Sequence, residues 1–303
     1  MNHLHSPGEC NAYITQIPME FSHLRYFKIQ IRKILLKRTT NAPFISGDSV
    51  ASIADLNLIS RKQIAEVKAK KVTSADSIFV AADYLEDLLD YHWSNIRCKT
   101  LITGNSDRNF ESEVLLPPSI KLWLCQNSAV LNSEIMRTLP IGIENRKLGR
   151  AGLKKYFLRS NITIRDKVFV PPMSPTNPVR RPVILECMDR DEIFDVFLKM
   201  MNEEDYFELA SRYRFVLCLE GNGYENHRIW ETLYNGGIPI LLRTSWSVTL
   251  SYLKLPIILI ENIGDISAQA LREFDEKFAE FSPQDCKALW TTFWRQVIKD
   301  GHL

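Results

Sequence analysis

The polar residues with the greatest chemical reach in this chain are bunched between two apolar runs. Glu220, Gly221, Asn222, Gly223, Asn226, His227, Arg228 and Glu231 lie between the apolar residues 215–219 and 238–242. Arg228 offers a planar, permanently charged fork suited to bidentate contact with a phosphate. Glycines let the backbone approach such a group closely, because no Cβ intervenes. A helix starting near His227 would add unpaired backbone N–H groups and a partial positive charge. Glu231, three residues after Arg228, shares its helical face, and a carboxylate there can accept hydrogen bonds from ribose hydroxyls. The plainer alternative is an ordinary strand–helix–strand unit with a glycine turn and a surface Arg–Glu pair, since short glycine motifs are weak signals.

The elements that must position these groups follow from the pattern. Residues 215–219, Phe-Val-Leu-Cys-Leu, read as a buried strand, and Gly221-Asn222-Gly223 as the turn that ends it. Helical spacing from His227 to Asn235 stops at Gly236-Gly237, and residues 238–242 read as the next strand. This is one βαβ unit of a parallel sheet. Its polar residues fall at the strand's C-terminal end and in the first turns of the helix, where open α/β sheets bind ligands.

The segment G-N-G-Y-E-N-H-R-I-W-E-T-L-Y-N-G-G-I-P-I, residues 221–240, resembles the nucleotide-sugar loop of exostosin-like glycosyltransferases. More distantly, it resembles other transferases of the GT-B architecture. The resemblance implies an α/β fold of two Rossmann-like domains facing a central cleft. It also implies inverting transfer of a sugar from a nucleotide donor to a glycan or lipid-linked acceptor, with no cofactor and no obligatory metal. Carried onto this chain, Arg228 would contact the diphosphate and Glu231 the ribose, with Gly221 and Gly223 shaping the loop. The segment T-N-P-V-R-R-P, residues 176–182, resembles the stretch before that loop, which brings Arg180 or Arg181 toward the cleft unless they are plain surface residues.

Inverting transfer needs a base for the acceptor hydroxyl as well as a stabiliser for the departing diphosphate. Three segments, T-G-N-S-D at 103–107, C-Q-N at 125–127 and L-P-I-G-I-E-N at 139–145, resemble the family's acceptor side. Gly104 stands where a histidine is expected there. Asp107 is the first candidate for the base, with Asp48 and Glu144 in reserve; each can instead cap a helix, the common fate of an Asp beyond a strand. Two rival functions stay open. One is an epimerase or hydrolase of nucleotide sugars with the same architecture, and the other is a non-catalytic nucleotide-sugar binder. A Ser-His-Asp hydrolase is disfavoured by the lack of a G-x-S-x-G elbow.

The rest of the chain sets the frame. Its 303 residues, 45% apolar and 24% charged, suit two globular domains. The alternation of strands and helices places the first, a doubly wound acceptor-side domain, at residues 1–166. The second, nucleotide-binding domain with C-terminal helices takes 167–303. A net charge of +2 argues against a nucleic-acid partner. Six cysteines without a C-x-x-C pair suit a reducing compartment. No run of about 18 apolar residues suggests a membrane span, and residues 1–13 lack a secretory apolar stretch. Eukaryotic relatives usually carry an anchor, so the reading is a cytoplasmic, bacterial-type enzyme. Residues 21–40 carry Arg25, Lys28, Arg32, Lys33, Lys37 and Arg38 with Phe27, Ile31, Ile34 and Leu35 at helical spacing. Such a helix either shows a solvated basic face or lies peripherally on the inner face of the membrane.

Strands are expected at 42–48, 77–82, 100–103, 120–125 and 139–143, and a proline-rich crossing between domains at 165–182. Asp189-Arg190-Asp191 reads as the first turn of a helix over 192–201 rather than as a metal-binding pair. A C-terminal helix over 283–299 is expected to pack back across the first domain, by resemblance.

Overall fold

The computed structural model describes residues 40–69, 73–92 and 96–303. The basic stretch at 21–39 lies outside the described residues. Among them, no helix is long and apolar enough to cross a membrane.

The molecule is α/β, built on two five-stranded parallel sheets. The first consists of β1 (Leu56–Leu58), β3 (Ser77–Ala81), β5 (Thr100–Gly104), β6 (Leu122–Cys125) and β7 (Met136–Thr138), in that spatial order. A short side pairing joins β2 (Thr73–Ser74) to β4 (Ile96–Arg97). The strands are apolar on both faces, as expected of parallel strands covered on both sides. Ile78, Leu101 and Trp123 are in register and pack with Ile64 and Val67 of α2 (Arg61–Lys68) and with Leu85 and Leu88 of α3 (Leu85–His92).

The spatial order of this sheet follows the chain without reversal, unlike the doubly wound arrangement expected. Right-handed crossovers that always step the same way put their helices on one face. The other face, with Phe79, Ile102, Leu122 and Leu124, must therefore be covered from elsewhere. Its cover is Ile45, Val50 and Ala51, in and before α1 (Gly47–Ala51), together with Trp294, Val297 and Ile298. Those last three come from α9 (Thr291–Asp300) at the far end of the chain, so the C-terminal helix does pack back on the first sheet. The Tyr234 hydroxyl pins the junction: it accepts from the backbone N–H of Ile45 at 2.9 Å and donates to the carbonyl of Leu289.

The second sheet contains β8 (Ile164–Val170), β9 (Phe194–Val196), β10 (Tyr213–Leu217), β11 (Ile238–Leu242) and β12 (Ile258–Ile260). Its spatial order is β9-β8-β10-β11-β12, all parallel. The chain leaves β8 in one direction, then returns to β10 on its other side. Helices accordingly cover both faces. Cys187 of α4 (Arg180–Met188) and Leu271 of α8 (Ala268–Lys277) pack on Val168, Phe215 and Ile240. Phe207 of α5 (Glu203–Ala210), with Ile229, Trp230 and Leu233 of α6 (His227–Tyr234) and Trp246 of α7 (Ser245–Thr249), packs on Phe169, Val216 and Leu241. The strand order reverses between β8 and β10, and the C-terminal ends at such a reversal are the usual ligand position in open α/β sheets.

Four expected elements differ. Residues 42–48 form isolated bridges at Phe44 and Ser46 and then α1, which Ser46 caps. The strand expected at 139–143 lies earlier, at Met136–Thr138, because Pro140 has no N–H to donate and Gly142 sits at φ +67°. Residues 139–163 make the passage between the sheets; residue 166 falls inside β8, and 165–182 holds the end of β8 and the start of α4. Pro182 hides α4 in the sequence, yet in the first turn of a helix a proline is tolerated. In place of a helix over 192–201 stands β9, with Asp189 the C-cap of α4 and Arg190 bonded to the carbonyls of Ile263 and Ile266.

Candidate functional site

Beyond the C-terminal ends of β8 and β10 two guanidinium groups meet. Arg228, second residue of α6, donates to the carbonyl of Pro172 just beyond β8, and its head lies 5.8 Å from the centre of the Tyr206 ring. Arg180, first residue of α4, is only 5% exposed. Its Nε donates to the Glu220 carbonyl at 2.7 Å, and Nη1 to the Ser174 carbonyl at 2.8 Å and the Thr176 hydroxyl at 3.3 Å. Burial first, and then the neighbouring Arg228, make its charge harder to keep, lowering its pKa. Among the described residues neither arginine forms a direct ion pair; their hydrogen bonds go to neutral oxygens, and the buried Glu231 carboxylate acts on Arg228 through space. Of the two arginines at 180 and 181, Arg181 is the exposed one.

The glycine loop between β10 and α6 is tied down by its own polar groups. Gly221 N–H donates to the Gly223 carbonyl at 3.0 Å, and Asn177 Nδ2 to the Gly221 carbonyl at 3.0 Å. A Cβ at Gly223 would come within 2.9 Å of Asn127 Oδ1, so this position needs glycine for close approach. Asn226 is the N-cap of α6: its Oδ1 accepts from Arg228 N–H at 2.9 Å and its Nδ2 donates to the Leu219 carbonyl. Asn226 thus holds the loop and takes up one of the helix amides expected to face a phosphate. Glu220 accepts from Trp246 Nε1, and the exposed Asn222 donates to Asp107 Oδ2 at 3.2 Å. Glu231 lies beneath Arg228, 5% exposed, accepting from the Tyr206 hydroxyl at 3.2 Å. Burial pushes its pKa up to about 7, with Arg228 acting in the opposite direction.

On the other side of the glycine loop lies a cavity of about 550 Å³ at the C-terminal ends of the first sheet. Asp83, Asn105, Ser106, Asp107, Gln126, Asn127, Asn145 and Lys147 line it, and Glu225 and His227 close it from the α6 side. Of the carboxylates expected to serve as base, Asp48 already accepts from Lys147 Nζ at 2.8 Å and Asn105 Nδ2 at 3.3 Å. Glu144 is bonded to Arg150 through Oε1, while its buried Oε2 has no partner. Asp107 lines the cavity itself. The space that a side chain at Gly104 would need is taken: a Cβ there would sit 2.4 Å from Gln126 Oε1. That oxygen accepts from Asn105 N–H at 3.0 Å, and Gln126 Nε2 donates to the Pro140 carbonyl at 3.0 Å.

His227, expected among the donor contacts, points instead toward the first sheet. Its Nδ1 lies 2.7 Å from the Gly142 carbonyl. A carbonyl only accepts, so Nδ1 carries the hydrogen and Nε2 keeps its lone pair. Burial lowers the ring's pKa below the usual histidine value and keeps it neutral.

Glu225 is the residue that sequence reasoning missed, and Asn127, within the C-Q-N segment, was given no role of its own. The Glu225 carboxylate accepts from Ile141 N–H at 3.1 Å, Trp230 Nε1 at 3.1 Å and Asn127 N–H at 3.4 Å. Its own backbone N–H donates to Asn127 Oδ1 at 2.8 Å. Burial raises its pKa to about 7, against the pull of those donors. One signal pointed to this region: Asn105 and Asn127 each follow a strand and each adopt φ +54°, a conformation asparagine tolerates. No protein-family model matches the chain, and no curated protein matches it.

Proposed function

We propose that the chain is a glycosyltransferase that moves a sugar from a nucleotide-sugar donor to a hydroxyl of a glycan or glycolipid acceptor. The observation that carries this reading is the Arg180–Arg228 pair at the strand-order reversal, whose hydrogen-bond acceptors are all neutral. A diphosphate there would bring negative charge and take charge-assisted hydrogen bonds from both forks. The same pair would stabilise the charge that builds on the diphosphate as the glycosidic bond to it breaks. In this reading the two sheets form two Rossmann-like halves facing a cleft, the acceptor side within 1–166 and the donor side within 167–303. The polar cavity beside His227 takes the acceptor. Transfer is inverting and needs no obligatory metal or cofactor. The setting is cytoplasmic, with residues 21–39 as the candidate contact to the inner membrane face.

Thermal unfolding with nucleoside diphosphates and their sugar conjugates tests the donor site. A nucleotide at about a hundred times its dissociation constant adds about 2.7 kcal/mol to the stability of the wild type. Arg228→Ala is expected to lose that gain. Lys147→Ala, whose charge is already matched by Asp48, is expected to keep it. Equal responses in the two variants, or none in the wild type, would remove the donor site.

Gly104, with Gln126 filling the space beside it, favours one second reading, a non-catalytic nucleotide-sugar binder. Consumption of a bound donor decides against it.

A further inference from the structure

The cavity contains one group built like a general base that the donor reading does not use. His227 opens α6, its Nδ1 is held by the Gly142 carbonyl at 2.7 Å, and the residue lines the 550 Å³ space. No hydrogen bond to Nε2 is formed by the described residues. A histidine oriented through one nitrogen, with the other unpartnered among the described residues and the residue itself lining a cavity, is the arrangement of a proton acceptor. The neighbouring carboxylates are less free: Asp48 is paired with Lys147, Glu144 with Arg150, and Asp107 accepts from Asn222 at the exposed rim.

We infer that His227 Nε2 takes the proton from the acceptor hydroxyl, supplying from the second sheet the histidine that Gly104 leaves out of the first. The inference rests on the glycosyl-transfer reading. As the acceptor oxygen forms its bond to the anomeric carbon, its O–H electron pair is freed by proton transfer to Nε2. The bond between the anomeric carbon and the diphosphate oxygen breaks, and that oxygen leaves with the bonding pair. The imidazolium later returns its proton to water.

The charged groups that bear on the ring are Glu144 and Asp107, which favour the imidazolium, and Arg150, which opposes it. Burial lowers the pKa more than these raise it, so the ring is neutral and ready to accept at neutral pH. His227 and Arg228 are successive residues, about 100° apart around the helix axis. One therefore lines the cavity while the other reaches the Pro172 carbonyl. A single helix start would thus hold both the proton acceptor and the leaving-group clamp.

The test uses the full chain, with UDP-glucose, UDP-N-acetylglucosamine and GDP-mannose as donors and water as the acceptor. Nucleoside diphosphate release is followed from about pH 5 to about pH 9, across the range in which histidine titrates. Wild-type turnover is expected to fall on the acid side, with a midpoint below the ordinary histidine value of about 6.5. His227→Asn keeps an N–H for the Gly142 carbonyl but has no base. It should lose about 100-fold or more in rate while keeping the nucleoside diphosphate-induced thermal shift. His227→Ala should regain part of its rate with added imidazole, which a merely structural role would not allow.

A rate in His227→Asn within about threefold of wild type would overturn the inference. So would a loss of nucleotide-induced stabilisation that matches the loss of rate, since His227 would then hold the donor. A wild type that binds nucleotide without consuming any donor would end the base role and leave the donor site standing. A wild type that no nucleotide stabilises would end both.

Discussion

The two sheets share strand number and direction but differ in how the chain winds through them, and the difference decides what each can hold. The second sheet reverses between β8 and β10 and collects Arg180 and Arg228 beyond those strand ends, hydrogen-bonded to neutral oxygens, with Glu231 buried beneath Arg228. The first never reverses. Its polar residues gather in a cavity where opposite charges already meet, as in Lys147 with Asp48. A site with an excess of one charge selects an ion; a site with matched charge and amide groups selects neutral hydroxyls. In the proposed reading the reversal separates an anion site from a hydroxyl site within one molecule.

Winding also decides how each sheet is covered, and the largest expected effect tests this. Trp294 closes the face of the first sheet that its own helices cannot reach. Trp294→Ala should cost about 3–5 kcal/mol in urea unfolding, and removal of residues 291–303 should abolish cooperative unfolding of the chain. A truncated chain that unfolds at the wild-type midpoint would break the contrast between a self-covered sheet and one with a borrowed cover.

A smaller effect sharpens the electrostatic half of the comparison. Glu225 precedes α6 and Glu231 lies within it, and burial pushes both pKa values up to about 7 from the usual 4.5. The folded state therefore keeps protons that the unfolded chain has released. Their stabilising contribution is complete below about pH 4.5 and is lost as pH rises through about 7. Glu231→Gln should make the fall in stability across that window shallower, measured as urea midpoints at several pH values. An unchanged or steeper slope would show that Glu231 is ionised throughout.

The smallest effect compares two glycines in one loop. Gly223→Ala places a Cβ 2.9 Å from Asn127 on the first-sheet side and should cost about 1–3 kcal/mol. Gly221→Ala meets nothing nearer than 3.5 Å, and should stay within about 0.5 kcal/mol of wild type in the same urea titration. Equal costs would mean that the loop does not press against the first sheet as described.

The strand–turn–helix–strand unit at 213–242 was legible in the sequence because its signals are local. Apolar runs, a glycine turn and a glycine stop fall within one unit, and α6 begins at His227 as read. Arg228 was legible by charge and position, whereas the resemblance at 176–182 offered Arg180 or Arg181 without choosing between them. The helix α4 was obscured by Pro182, and the segment 139–143 was misread because its apolar residues surround a proline and a left-handed glycine. Glu225 was not legible at all. Its role comes from bonds to Asn127, 98 positions away, and Ile141, 84 positions away, and nothing local distinguishes it from a surface acid. The direction of His227 was lost for the same reason, since its partner Gly142 lies 85 positions back.

The borrowed cover of the first sheet also fixes an order of events in synthesis. Chains are made from the N-terminus, and domains generally fold as they emerge. The strands at 56–138 leave the ribosome early with Ile45, Val50 and Ala51 ahead of them, yet Phe79, Ile102 and Leu124 lack the rest of their cover until Trp294 arrives. The half of the molecule that is made first is the half completed last. In the interval the part of its apolar face that Trp294, Val297 and Ile298 will cover is the surface that a chaperone, or another unfinished chain, would meet.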